Sequence, residues 1–214
     1  MERVQNKGVQ KRKKGLETTQ QILDVSAELF ARNGYDGVST RQIAELVGIK
    51  ESSLYNHFRS KADILESLFD GFIENIPKTR PSDDEIDKML IIMEPKEVFK
   101  NILFHVGKSV RGTLSNTSMI ISYEKFRNPR AADMYFKYLV NEPACYYERL
   151  INKMLVRKMI KPVDARTIAE QYNYVSLALT QEYIMTQYGL ADENSVVAYM
   201  IRTLEFFCEQ MKKE

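Results

Sequence analysis

The sequence predicts an all-α protein with two domains, a three-helix N-terminal domain and a larger C-terminal helical bundle. Apolar residues recur at helical spacing along most of the 214 residues, whereas no segment has the period-two alternation of a strand. Gly and Pro residues interrupt this pattern at intervals that fit ordinary helix lengths. The clearest interruption is the PKTRPS segment, residues 77–82, so we expect the domain boundary there.

The charge distribution supports this division. Residues 1–61 carry 11 Lys and Arg and 7 Asp and Glu, a net of +4 within a chain whose total is +2, so the remainder carries −2. Six of these basic residues lie among the first 14. We expect residues 1–16 to form a basic, flexible tail, 17–76 the first domain with a connecting fourth helix, and 77–214 the second domain. Phosphate or minor-groove contacts by the tail, and a merely solvated tail, both stay open.

A first helix is predicted to begin at a Thr18 or Thr19 cap and to end at Asn33-Gly34. Next comes a pair of short helices within residues 39–61. Ser39 or Thr40 can cap the first of the pair, and Gly48 can end it because glycine tolerates a positive φ.

The second helix of the pair is expected to open within residues 50–53, with Leu54 and Phe58 pointing inward. The remaining side chains are polar and suited to hydrogen bonds with DNA bases or phosphates: Glu51, Ser52, Ser53, Tyr55, Asn56 and His57. The turn length fits a helix-turn-helix motif, whose second helix enters the major groove. An ordinary helical hairpin is the alternative.

Several motifs in residues 18–66 resemble the DNA-binding domain of tetracycline-repressor (TetR)-type transcriptional regulators. They follow one another in that family's order: NGYDGVS (33–39), TRQIA (40–44), VGI (47–49), SLYNHF (53–58) and SKADIL (60–65). The resemblance implies a homodimer that binds double-stranded DNA and holds a small-molecule effector in its helical body. We expect it to act as a repressor of a near-palindromic operator that the effector releases. The polar, signal-free N-terminus and the lack of a membrane-length apolar run favour the cytoplasm.

The resemblance also implies roles for individual residues. Thr40 and Arg41 would contact the DNA backbone, and Glu51, Ser52 and Ser53 would open the recognition helix. Tyr55, Asn56 and His57 would contact phosphates or base edges, and Lys61 would hold a phosphate. An acid at position 51 departs from the family pattern; it can cap the helix or accept from a cytosine amino group, and capping is the favoured interpretation.

The second domain is predicted to be entirely helical. The expected spans are 83–93, 96–114, 118–127, 130–160 with a bend or break at Pro143, 164–188 and 195–212. The last two are apolar on more than one face, which predicts a two-fold four-helix bundle between subunits; a larger monomeric bundle is the alternative. The predicted dimer contacts are Tyr174, Leu177, Ala178, Met185, Tyr188, Val197, Ile201, Leu204 and Cys208.

The effector site is located only loosely. Polar or aromatic side chains on otherwise apolar helices are the best markers of a pocket: His105, Tyr123, Glu124, Tyr172, Asn173, Glu182 and Tyr183. Each can equally face solvent or form an internal hydrogen bond. A DNA-binding interaction or architectural protein without an effector is therefore the alternative function, and a large cavity in the body would distinguish the two.

Other classes of protein are disfavoured. The chain has two His and two Cys, without nucleophile-elbow, phosphate-loop or metal-ligand spacing, so we expect no enzyme, no metal and no cofactor. The cysteines, 145 and 208, are best interpreted as buried free thiols.

Overall fold

The computed structural model describes residues 2–213, with side chains described from residue 15 onward. This part of the chain is all helical and contains no strand, as predicted. The α-helices are α1 Glu2–Asn33, α2 Thr40–Val47, α3 Glu51–Leu54, α4 Lys61–Asn75, α5 Asp83–Ile92, α6 Pro95–Ser109, α7 Thr113–Glu124, α8 Pro129–Met134, α9 Glu142–Val156, α10 Ala165–Thr186 and α11 Glu193–Met211. A 3₁₀ turn covers Ile76–Thr79, and a π-helical segment covers Tyr135–Asn141.

The chain forms two compact units. The first runs up to Asn75 and also contains Arg111–Glu124; the second contains Ile76–Val110 and the chain from Lys125 onward. The sequence assigned all of residues 77–214 to one domain, so α7 is the element whose assignment differs. The chain therefore passes between the two units at three points.

Helix α1 is longer than expected. It begins at Glu2, so the predicted flexible tail is helical and Thr18 and Thr19 do not cap it. The segment lacks proline and is rich in Lys, Arg, Gln and Glu, which are good helix formers, so a helix fixed by the core can extend through it. Predicted contacts of the basic side chains at residues 3–14 fall outside the described side chains.

The core of the first unit lies between α1, α4 and α7. Helix α4 buries Ile64, Leu65, Leu68, Phe69 and Phe72, which recur at helical spacing in the sequence. Burial of these side chains stabilises α4 within the first unit.

Helix α7 is largely buried although more than half of its residues are polar. Its buried polar side chains are Ser115, Asn116, Thr117, Ser118, Ser122 and Glu124. Several of their hydroxyls donate to backbone carbonyls, as Thr117 does to Thr113 (2.7 Å) and Ser122 to Ser118 (2.9 Å). Since these small groups satisfy themselves locally, the helix can be buried without the usual apolar stripe.

Of the bend or break predicted at Pro143, the break is absent, because the chain passes from the π-helical segment directly into α9. Pro143 has no N–H to donate to the carbonyl of Leu139 four residues earlier. The buried side-chain amide of Asn173 donates there instead, at 3.3 Å, and to the carbonyl of Val140 at 3.0 Å. The proline is thereby accommodated within a continuous helical segment.

The core of the second unit contains a cluster of aromatic rings, which we call the aromatic core. The ring of Tyr172 lies 4.7 Å from that of Tyr147, 5.5 Å from Phe99 and 5.4 Å from Phe207, each time edge to face. Burial raises the pKa of the Tyr147 and Tyr172 hydroxyls. These contacts join α6, α9, α10 and α11 into one core.

Candidate functional site

Helix α2 is defined by its two ends. Ser39 accepts from the backbone N–H of Gln42 at 3.2 Å, and the Gln42 side chain accepts in return from the Ser39 N–H at 2.8 Å. Gly48 follows with a φ of 75°, and the Ile49 N–H donates back to the carbonyl of Ala44 at 3.0 Å. The capping box and the left-handed glycine together set the direction in which the chain enters α3.

Helix α3 is a single turn that buries Leu54 and is followed by the buried Phe58. Beyond Leu54, turn hydrogen bonds continue through His57, where the N–H donates to the carbonyl of Leu54 at 2.9 Å. Glu51, Ser52, Tyr55 and Asn56 are exposed, whereas Ser53 and His57 are half-buried. This α3 surface, residues 51–57, presents the predicted polar side chains to solvent.

Glu51 does not cap α3. Its carboxylate accepts from the hydroxyl of Thr40 at 2.7 Å, and the Tyr55 hydroxyl lies 3.2 Å from the same Thr40 oxygen. The favoured interpretation of Glu51 as a cap is therefore wrong, because Lys50 occupies the N-cap position and no side chain caps the helix. Thr40, Glu51 and Tyr55 instead tie the first turn of α2 to α3.

Lys61 is engaged within the protein. Its ammonium donates to the carbonyls of Tyr35 and Val38, both at 2.9 Å, and lies 4.2 Å from the centre of the Tyr35 ring. These two bonds leave one N–H for the predicted phosphate contact. The ring nitrogen Nδ1 of His57 similarly lies 2.8 Å from the hydroxyl of Thr19, which fastens the end of the α3 surface to α1.

Two exposed cations beside the α3 surface were not among the predicted site residues. Lys50 precedes α3 and Arg59 follows it. Arg41, which was predicted, is also exposed at the start of α2. An exposed cation can reach a phosphate, whereas a cation that is already bonded within the protein is less available. The sequence pattern does not distinguish the two cases.

The predicted effector residues do not form one cluster. His105, Tyr123 and Glu182 are exposed, and the buried Glu124 belongs to the first unit. The buried Asn173 is bonded to the π-helical segment as described. Tyr172 is in the aromatic core, and the half-buried Tyr183 has its hydroxyl 3.4 Å from a carboxylate oxygen of Glu193.

Two hollows are lined by described residues of the second unit. A cavity of about 40 Å³ borders Tyr147, Tyr172 and Met200, which is space for little more than water. A groove of about 680 Å³ lies between the segment from Pro77 to Glu85 and the segment from Asn141 to Arg149. The hinge groove, as we call the latter, contains none of the predicted effector residues.

The predicted dimer residues differ in accessibility. Tyr174 (57% exposed) and Ala178 are exposed, and Leu177, Met185, Tyr188, Val197 and Ile201 are half-buried. Leu204 has no exposed surface and lies in the core, so its assignment to an interface is wrong. Cys208 packs at the edge of that core, where burial raises the pKa of its thiol to about 11.

The outward face of α10 and α11 exposes further large apolar side chains. Val175, Tyr199 and Phe206 are 37%, 50% and 60% exposed. Together with Tyr174 they define what we call the α10–α11 apolar face. Tyr199 and Phe206 are seven residues apart, two turns along one side of α11, so the face is continuous along that helix.

Among the described residues, no group of three or more His, Cys, Asp or Glu side chains is arranged to hold a metal ion. No helix in the same part of the chain is long and apolar enough to cross a membrane.

An all-α chain with a capped helix-turn-helix and an exposed polar second helix has the architecture of a DNA-binding regulator. Residues 22–68 match the model of the family described as bacterial regulatory proteins, tetR family. The helix-turn-helix unit of this chain is thus similar to the tetR family.

Two curated relatives match part of this chain. The HTH-type transcriptional repressor KstR2 of Rhodococcus jostii is 38% identical over 56 residues, 26% of this chain and 28% of that protein. The HTH-type transcriptional regulator AcrR of Shigella flexneri is 31% identical over 94 residues, 44% of this chain and 41% of that protein. The chain thus spans less than half the length of these relatives.

Solved structures share the fold over nearly the whole chain. A putative TetR-family regulator from Mesorhizobium loti has a TM-score of 0.64 at 15% identity, covering 93% of this chain and 98% of the other. A putative transcriptional regulator from Saccharomonospora viridis, solved in complex with choline, has a TM-score of 0.67 at 21% identity, covering 92% and 99%.

Proposed function

We propose that this protein is a DNA-binding transcriptional regulator, most simply a repressor, that binds a near-palindromic operator as a homodimer and is released by a small molecule. The observation that carries the proposal is the α3 surface, a polar and exposed helix held by a capping box and a left-handed glycine. It has the geometry in which the second helix of a helix-turn-helix enters the major groove.

The exposed side chains suggest a division of roles on DNA. Ser52, Tyr55 and Asn56 carry hydroxyl and amide groups that can bond base edges. Arg41, Lys50 and Arg59 are exposed cations around them and suit the flanking phosphates. Phosphate contacts position the protein, and base contacts supply its sequence preference.

The α10–α11 apolar face supports the homodimer. Exposed aromatic side chains of this size are seldom left in water, and the matching pair of helices from a second subunit would cover them. A two-fold dimer would present two α3 surfaces to half-sites about 34–36 Å apart, or a multiple of that spacing.

The small-molecule part of the proposal rests on the hinge groove and on the fold, since a structure of the same fold was solved in complex with choline. The aromatic core itself leaves little space for a ligand. A filled core is what the alternative function predicts, namely an architectural DNA-binding protein without an effector. The groove favours the effector hypothesis because its volume lies within the range of about 300–1,000 Å³ typical of ligand sites. Release then requires that the effector bind the DNA-incompetent conformation more tightly.

The primary test selects bound sequences from random DNA with the purified protein. We expect a symmetric motif with two half-sites, and recovery of no symmetric motif would contradict specific regulation.

Site-directed variants then test the placement of the recognition helix. Ser52→Ala with Asn56→Ala should weaken operator binding by about 1–3 kcal/mol per lost base contact, measured by fluorescence anisotropy at fixed salt. These positions are preferable to Tyr55 and His57, whose side chains also bond within the protein. Asn152→Ala, at an exposed position of the second unit, is the control and should bind as the wild type does.

A further inference from the structure

The hinge groove lies in the second unit, beside the segment through which the chain leaves the first. One wall is formed by Pro77, Arg80 and Pro81, and the facing wall by Tyr146 and Arg149 of α9. The groove is open to solvent along one side and offers both apolar and charged surface. It therefore differs from the closed aromatic core, which is nearly filled.

Tyr146 is the most informative residue of this groove. Its side chain is 8% exposed, and its buried hydroxyl has no hydrogen-bond partner among the described residues. Burial raises the pKa of this phenol well above its ordinary value, so the group keeps its proton and has one O–H to donate. Buried hydroxyls are almost always paired, because an unpaired one loses its bonds to water without replacement.

Two guanidinium groups flank the Tyr146 ring. The central carbon of Arg80 lies 5.8 Å from the ring centre, and that of Arg149 lies 6.0 Å from it. Arg149 lies 3.9 Å from the carboxylate of Asp83, which also pairs with Lys153 at 3.4 Å. Arg80 forms no ion pair with any described residue, so its charge is available to a ligand in the groove.

The acidic side chains of the groove are mostly engaged. Asp83 is shared between Arg149 and Lys153 as described, and the carboxylate of Glu85 accepts from the backbone N–H and the hydroxyl of Ser82, both at 2.8 Å. Glu142 is half-buried at the far wall. Arg80 carries a positive charge that no described carboxylate pairs with, and the Tyr146 hydroxyl is a buried donor without a partner, so these two groups favour an anionic ligand.

We propose that the hinge groove binds a small organic anion. Its carboxylate or phosphate would lie between the Arg80 guanidinium and the Tyr146 hydroxyl, and its apolar body would rest against Pro77 and Pro81. This site would be where the effector of the proposed regulator binds. Anion binding does not depend on the proposed function; only its effect on DNA binding does. An anion held there would fix the segment that links α4 to α5.

The test titrates the full-length protein with benzoate, phenyl phosphate and benzamide by isothermal titration calorimetry. We expect one of the two anions to bind at least about tenfold more tightly than neutral benzamide, since a charge-assisted bond is stronger than a neutral one. The tighter of the two identifies the preferred anionic group. Equal affinity for all three, or no heat from any, would overturn the proposal.

Two variants locate the binding. Arg80→Gln should weaken anion binding about tenfold or more, whereas Arg202→Gln, which removes an exposed arginine 5.4 Å from the Tyr199 ring, should not change it. Tyr146→Phe should also weaken binding while leaving the thermal midpoint of the free protein unchanged or higher, because it removes an unpaired hydroxyl. Unchanged affinity in Arg80→Gln, or a lower midpoint in Tyr146→Phe, would contradict the site.

Operator binding separates this proposal from the preceding one. Without ligand, Arg80→Gln should bind the selected operator as the wild type does, since Arg80 lies outside the helix-turn-helix unit. If the anion lowers operator affinity of the wild type but not of Arg80→Gln, the groove is the effector site. If the anion binds through Arg80 and operator affinity stays constant, the groove is an anion site, but it is not the effector site.

Discussion

Two exposed surfaces of this protein differ in chemistry and therefore in what they can do. The α3 surface is polar, and Thr40, Glu51 and Tyr55 hold it through hydrogen bonds within the unit. The α10–α11 apolar face instead exposes aromatic rings whose inward neighbours are fixed by core packing. A polar surface can remain in water between binding events, whereas an apolar face is stable when it is permanently covered. The first suits a reversible partner such as DNA, and the second an obligate one such as a second subunit.

The largest effect is expected from placing charge in the apolar face. Tyr174→Glu with Tyr199→Glu should give a monomer in analytical ultracentrifugation, because burying two carboxylates between subunits is unfavourable. Operator affinity should fall by about 100-fold or more, since each monomer then binds one half-site alone.

The control for this prediction is Ile91→Glu with Ile92→Glu, which changes two exposed apolar side chains on α5, both 78% exposed. This variant should remain dimeric. Dimers of equal stability in both variants would place the subunit interface elsewhere.

A smaller effect is expected at the turn between α2 and α3. Gly48 has a φ of 75°, so Gly48→Ala should lower the free energy of unfolding by about 1 kcal/mol, measured by urea denaturation. Gly71→Ala in α4, where an added Cβ meets nothing within 4 Å, should have no such cost. A similar loss in both variants would show that the left-handed conformation is not the cause.

The smallest effect is expected at Glu51. Glu51→Gln keeps an acceptor for the Thr40 hydroxyl and removes one negative charge from the α3 surface. Affinity for random-sequence DNA should rise about two- to threefold at low salt, and the gain should shrink as salt is added. A specific loss of operator affinity would instead mean that Glu51 accepts from a cytosine.

The two regions also differ in how far their sequences predict them. Ser39 and Gly48 act within a few residues of their own positions, so the limits of α2 and the start of α3 could be predicted from local chemistry. The buried side of α4 likewise followed from its helical spacing.

Features that depend on distant partners could not be predicted. The bonds from the Lys61 ammonium to two carbonyls of the loop before α2 could not be predicted, since no spacing rule encodes that loop, and its phosphate contact stays a prediction. Asn173 was expected near an effector, but it compensates for a proline 30 residues earlier. Leu204 was assigned to the dimer interface because α11 is apolar on more than one face. Such a pattern does not show which apolar residues pack inside the subunit and which face a second one. The apolar residues of α7 do not line one face of the helix, so its packing in the first unit could not be predicted.

The position of α7 has a practical consequence for engineering. Because Arg111–Glu124 completes the first unit, the DNA-binding module is discontinuous in the gene. A chimaera that joins a foreign head at residue 76 would keep an α7 shaped for α1 and α4 of this protein and would have to refit it. To change operator specificity, it is better to transplant only residues 40–57, because the packing around α7 then stays as it is in this protein.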